Sequence, residues 1–406
     1  MGTCRRDRKR EIISVIVLLF ANSSAGGAEW CTSALADIAR VFPDVPYSII
    51  TLINNIPNLC AVIFTVVAGV LVNRKISLKH MMLIGIGCHF IGGVFPALFG
   101  NTSIILIFAG RFAFGIGYGL MQGIGVSMSF KLIREEGLRE HAMGWAVTAQ
   151  YAMNMLAQVV VGHLCAIQWN FSFYIYAWSA VSFLVVLIFC PDFPVERSGS
   201  SAADDGRGHT GKGESIIESV RLLPSTVWVF TGIVAVYMFS YYPLFLAVAP
   251  VITERGFGNS VSVGYAMVFY SIATILGGII FGFAAKIFRQ WTLCIFMIGV
   301  ALSLLGLYFA GSFTMVCVML FLSGITSTGI IPACINVYYK QVPENRAFLA
   351  TGITEAGVNI GAFLGTPYIA VLEAFGGNAV TTMLISPVIL IALGIISVRF
   401  SRRTPV

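Results

Sequence analysis

The stretch GRFAFGIGYG, residues 110–119, sets one arginine and four glycines inside an otherwise apolar run. A guanidinium at the centre of a bilayer costs roughly 2.5–3.5 kcal/mol on insertion scales, so it is expected to face a partner or a cavity. Each glycine costs about 1 kcal/mol against alanine in a helix. Gly115, Gly119 and Gly123 repeat every four residues. Small residues at that spacing let membrane helices touch backbone to backbone. A phosphate-binding loop is excluded, because GIGYG has no strand before it, lacks the full loop spacing and sits within the apolar run.

The same ruler extends outward from this stretch. The chain has 406 residues, a mean hydropathy of +0.87, 57% apolar residues and 11% charged residues. Soluble domains carry about 25% charged residues, so the composition indicates an integral membrane protein. A crossing needs about 20 mostly apolar residues. That length fits twelve times: near 12–36, 47–72, 80–100, 104–130, 142–166, 171–190, 227–250, 263–286, 291–311, 314–338, 347–372 and 380–399. The basic start MGTCRRDRKR resembles a signal-peptide n-region. The apolar stretch behind it is too long, and no small-residue cleavage site precedes Glu29, so it reads as a retained helix. An N-myristoylation signal is also excluded, because Arg6 stands where Ser or Thr is needed.

With twelve spans, both termini lie on one side. All but three of the 25 basic residues fall on that side; Arg40 and Arg255 fall opposite, and Arg111 lies within a span. The skew predicts cytoplasmic termini. It accounts for the net charge of +7 through anionic lipid rather than nucleic acid. The nine cysteines form no CxxC pair or His/Cys cluster, so no metal, cofactor or disulfide framework is expected. The absence of a nucleophile–base pair at membrane depth argues against an enzyme.

The segment 191–226 is rich in Gly, Ser and charge and reads as a cytoplasmic linker. It separates a six-helix bundle over 1–190 from a second over 227–406. The halves echo each other: Gly144 and Gly352 each open a span after a charged loop, and Gly115 has its counterpart in Gly324. Repeated halves of this kind place the site of secondary transporters at the repeat interface near the midplane.

Along its whole length the chain resembles the major facilitator superfamily. The loop after span 2 matches the family pattern at Gly69, Leu71 and Arg74, while Asn73 replaces the family's Asp, and Ile76 and Ser77 replace its Gly and Arg. Arg111, Gly115 and Gly119 match the family's span-4 pattern, and ALADIARVFPD (34–44) is similar to its end of span 1. The resemblance implies an all-α membrane protein of twelve helices in two pseudo-symmetric bundles. It implies alternating access about a cavity lined by spans 1, 4, 7 and 10, with Gly69, Asn73 and Arg74 in a gating loop.

Three charges lie at membrane depth: Glu29, Arg111 and Glu355. Arg111 is about 10 Å into span 4 and Glu29 roughly 13 Å into span 1, so an ion pair between them is expected on depth alone. Helical spacing puts Arg111, Gly115, Tyr118 and Gln122 on one face, and Asn22, Glu29 and Ser33 on another. Either the pair locks span 1 to span 4, or Glu29 is a proton site and Arg111 holds an anionic group or tunes it. A solute competing for Arg111 would then change the proton affinity of Glu29. Glu355 shares a face with Asn359 and Thr366; it is a second proton site or a packing carboxylate. Asp37 is expected to pair with Arg40, and His89 and His163 to make local hydrogen bonds.

Span 7 carries Tyr237 and Tyr241 one turn apart with Pro243 beyond them, and span 10 carries Asn336; these are the expected solute wall. The expectation is a monomeric plasma-membrane (cell inner membrane) transporter that couples a small organic solute to protons. Efflux of amphipathic compounds is slightly preferred, uptake of an organic anion is the alternative, and a lipid flippase or non-transporting sensor is a further one. Span 5 lacks the G-x-x-x-G-P pattern of many drug exporters.

Overall fold

The computed structural model describes residues 2–71, 76–100, 102–122, 128, 132–133, 136–191, 221–339, 341–342 and 344–403. The helices are α1 (Gly2–Ser23), α2 (Leu35–Val41), α3 (Tyr47–Leu71), α4 (Leu78–Phe99), α5 (Ile104–Met121), α6 (Glu136–Ile167) and α7 (Trp178–Phe189). Then follow α8 (Ser225–Tyr241), α9 (Pro243–Thr253), α10 (Ser260–Phe288), α11 (Thr292–Tyr308), α12 (Phe313–Ser327), α13 (Ile330–Tyr339), α14 (Glu344–Ala374) and α15 (Thr382–Arg403). Among the described residues, eight stretches are long and apolar enough to cross a bilayer, and one of them, Ser260–Tyr308, spans both α10 and α11.

The helices combine into twelve crossings. Among the described residues three crossings are broken between α-helices: the first between α1 and α2, the seventh between α8 and α9, and the tenth between α12 and α13. Broken helices survive at membrane depth only where side chains or water satisfy the freed backbone groups. Pro243 accounts for the second break, since it lacks the N–H that would continue α8.

Two compact units are present: Met1–Arg197 with Phe245–Ser271, and Ser198–Leu244 with Ile272–Val406. In the first, α5 packs between α3 and α4. A Cβ on Gly115 would stand 2.8 Å from Cys60 Cβ and 2.9 Å from Pro57 Cα, and one on Gly119 would stand 2.9 Å from Ala61 Cα. On the opposite side, Gly117 lies against the backbone of Gly85 and His89. The glycines of the opening stretch are thus contact surface on two sides of one helix. In the second unit, Gly357 and Gly361 of α14 do the same against α8, at Thr231 and Met238.

Two helical-face expectations fail. Residues 24–34 are not α-helical, so Asn22, Glu29 and Ser33 share no helix face. Helix α5 ends at Met121, and Gln122 follows in extended conformation (φ −60°, ψ 130°), off the stripe of Arg111 and Gly115.

Candidate functional site

The site begins with a break in the first crossing. The sequence there is ANSSAGGAEW, residues 21–30. Helix α1 ends at Ser23, and within the break that follows Gly27 adopts φ +103°, a conformation that L side chains rarely take. The chain resumes as a 3-10 turn over Trp30–Ala34 and then α2. Four consecutive carbonyls of this break accept hydrogen bonds from four side chains of four other elements, and those of Gly27 and Glu29 also accept the Trp30 and Thr32 N–H groups (3.3 and 3.0 Å). His89 of α4 lies 3.0 Å from the Gly26 carbonyl; a carbonyl can only accept, so Nε2 donates. Tyr176 OH donates to Gly27 (2.7 Å), Arg111 Nη2 to Ala28 (2.9 Å) and Gln158 Nε2 to Glu29 (2.9 Å).

Arg111 does more. Pro57 in α3 has no N–H, so the carbonyl four residues back, Ile53, has no intrahelical donor. Arg111 Nε supplies it at 2.5 Å, while Nη1 donates to Tyr176 OH at 2.9 Å. The guanidinium also lies over Phe114, 4.3 Å from its ring centroid, and 5.3 Å from that of Tyr176. It is 0% exposed. Three oxygens and two aromatic faces replace its hydration, and no carboxylate pairs with it among the described residues.

The expected Glu29–Arg111 ion pair is therefore not formed. Depth placed them side by side, but the broken helix offers backbone carbonyls to the guanidinium first. The ion pair formed among the described residues is Arg40–Asp37 at 2.9 Å. Glu29 caps the 3-10 turn and is half-buried. Its backbone is held by Gln158, while its carboxylate has no hydrogen bond or ion pair among the described residues.

The other expected residues fall as follows. Tyr118 is half-buried and stacks on Phe114 (6.2 Å, 12°). Gln122 Oε1 lies 3.4 Å from Thr65 Oγ1. Tyr237 and Tyr241 stack at 5.3 Å, and Tyr241 OH meets Ser323 Oγ at 3.2 Å. Both tyrosines are buried within the second unit. Asn336 is exposed on α13. Glu355 is half-buried, and its carbonyl accepts from Asn359 Nδ2 at 2.9 Å. Gly69 lies in the last turn of α3; Asn73, Arg74 and residues 192–220 of the linker lie outside the described residues. His89 and His163 make local hydrogen bonds, to Ser179 and Gly26 and to the Val159 carbonyl.

Tyr176, Gln158 and Pro57 belong to the site and were not singled out from sequence. The Gly26–Gly27 pair inside an apolar span marks the break, and Pro57 marks the orphaned Ile53 carbonyl.

A sequence model of the Major Facilitator Superfamily matches residues 18–264 and 230–406. No curated protein sequence matches the chain. Among solved structures, a D-xylose-proton symporter aligns with a TM-score of 0.73 at 15% identity, covering 97% of this chain and 98% of that one. A nucleoside transporter, NupG, aligns with a TM-score of 0.76 at 14% identity, covering 97% and 99%. These likenesses show a shared fold. With twelve crossings, a broken first span braced by an intramembrane arginine and a family match along nearly its whole length, the chain belongs to the Major Facilitator Superfamily.

Proposed function

We propose that the protein is a secondary active transporter that moves a small organic solute by alternating access, coupled to protons through Glu29. The carrying observation is a half-buried carboxylate at membrane depth, with no hydrogen bond or ion pair among the described residues, on a turn whose backbone is tied down by four neighbours. An intramembrane carboxylate without a fixed counter-charge is suited to exchange a proton. In this reading Arg111 is a brace rather than an anion clamp, because its donors are engaged by Ile53, Ala28 and Tyr176. That weighs against organic-anion uptake and leaves a neutral or cationic solute. Glu355 is a second candidate proton site, and Tyr118, Gln122 and Asn336 are candidate solute contacts. Plasma-membrane residence with cytoplasmic termini and action as a monomer are parts of the same proposal.

The test is purified protein in proteoliposomes under an imposed pH gradient, challenged with pentoses, nucleosides, amphipathic cations and carboxylates. A transported compound should drive proton movement, and Glu29→Gln should move that compound without protons. Unchanged pH dependence in Glu29→Gln would remove Glu29 from the mechanism. Lipid scrambling without movement of any soluble compound would favour a flippase.

A further inference from the structure

Gln158 is a fully buried amide on α6 that touches two other elements at once. Its Nε2 donates to the Glu29 carbonyl (2.9 Å), and its Oε1 accepts from Ser33 Oγ (3.1 Å), so it grips both ends of the turn bearing Glu29. Its own backbone carbonyl lies against Gly264 of α10, where a Cβ would stand 2.5 Å away. One helical turn along, a Cβ on Gly162 would stand 2.8 Å from the Ser260 carbonyl, and Ser260 Oγ donates to the Gly162 carbonyl at 3.5 Å. Gln158 faces Gly264 while Gly162 faces Ser260, so the two helices run antiparallel here with backbones in contact. His163 and Tyr265 extend the seam with rings edge-on at 5.7 Å. All of these residues lie in the first compact unit.

The seam is built from small residues and weak hydrogen bonds, and among the described residues no ion pair crosses it. It can part without stranding a charge. When it parts, the segment of α6 at Gln158 is released from Gly264, and the amide carries that shift to the Glu29 peptide. We propose that Gln158 is a positioning residue that makes the proton affinity of Glu29 depend on whether the α6–α10 seam is closed. The proposal rests on the reading of Glu29 as the proton site. The other charged or titratable groups at this turn are Arg111 from α5, His89 from α4, Tyr176 from the segment before α7, and Cys31 on the turn itself. Helix α3 contributes the Asn54 amide, which donates to Thr32 Oγ1.

The experiment is an infrared titration of the purified full chain in lipid nanodiscs, following the carboxylic-acid band that disappears in Glu29→Gln. It needs no solute. Gly264→Val wedges the seam without altering either side chain at Glu29 or Gln158; Gln158→Leu cuts the link. Each should move the Glu29 midpoint by about one pH unit, a tenfold change in proton affinity. The double variant should move it no further than Gln158→Leu alone. An unmoved midpoint in Gly264→Val, or shifts that add in the double variant, overturns the coupling role. If Glu29→Gln removes no titrating band, the Glu29 reading itself has failed, a different outcome from an unmoved midpoint. Should Gly264→Val not fold, Gly264→Ala and Gly162→Ala supply smaller wedges in the same seam with the same expectation.

Discussion

Replacing Pro57 by alanine gives α3 back an amide N–H at the position where the Ile53 carbonyl waits four residues earlier. In the native chain that carbonyl is served by Arg111 Nε at 2.5 Å. The two devices therefore do the same job, and each should matter less when the other is present. Removing Arg111 from the native chain leaves the Ile53 and Ala28 carbonyls without their guanidinium donor. A buried acceptor stripped of its donor costs about 1–3 kcal/mol, whereas side-chain hydrogen bonds between membrane helices average nearer ~0.6 kcal/mol. In the Pro57→Ala background the Ile53 part of the loss disappears. We therefore expect a coupling energy of about 1 kcal/mol between Pro57→Ala and Arg111→Gln, with the double variant more stable than the sum of the single changes predicts. Alanine is smaller than proline and leaves the Cα that meets Gly115 in place, so the α3–α5 contact is kept. The measurement is reversible unfolding of all four proteins in mixed micelles with increasing dodecyl sulfate. Additive changes within about 0.3–0.5 kcal/mol, the scatter expected of independent sites, would refute the brace.

Further outcomes follow from the same contacts. Tyr176→Phe should cost about 1–3 kcal/mol in the same unfolding assay, because Arg111 Nη1 loses its acceptor and the Gly27 carbonyl keeps only the longer bond from the Trp30 N–H (3.3 Å); an unchanged transition would show that water replaces the hydroxyl. Gly117→Val should abolish a monodisperse folded peak in size-exclusion chromatography, since Gly117 lies against the backbone of Gly85 and His89. Gly144→Ala, where nothing stands within 4 Å, should instead be neutral or stabilise by up to about 1 kcal/mol. If both glycine variants behave alike, the glycines of α5 are not contact surface.

Much of the architecture was legible because lipid imposes a hard rule. Every crossing must be long and apolar, and every basic loop has a preferred side, so composition and charge placement specified a twelve-helix protein. The four-residue glycine period announced the close contacts of α5, because only glycine leaves room for a second backbone there. The Asp37–Arg40 pair was legible too, since it depends on local helical spacing alone.

The candidate site was legible only in its residue types. Depth arithmetic put Glu29 beside Arg111, and a continuous first helix would have left the guanidinium nothing better than that carboxylate. The fold instead breaks the helix after Ser23 and removes a donor from α3 at Pro57. Orphaned carbonyls in an apolar interior must be satisfied, and Arg111 is the side chain with enough donors, in the right fork, to reach two of them and Tyr176 at once. The sequence by itself determined that a charge lies buried in span 4 and that glycines surround it. Only the tertiary structure decided what that charge holds, because the choice rests on which backbone carbonyls the first crossing and α3 leave without helical donors around one point, and on the Tyr176 hydroxyl beside them.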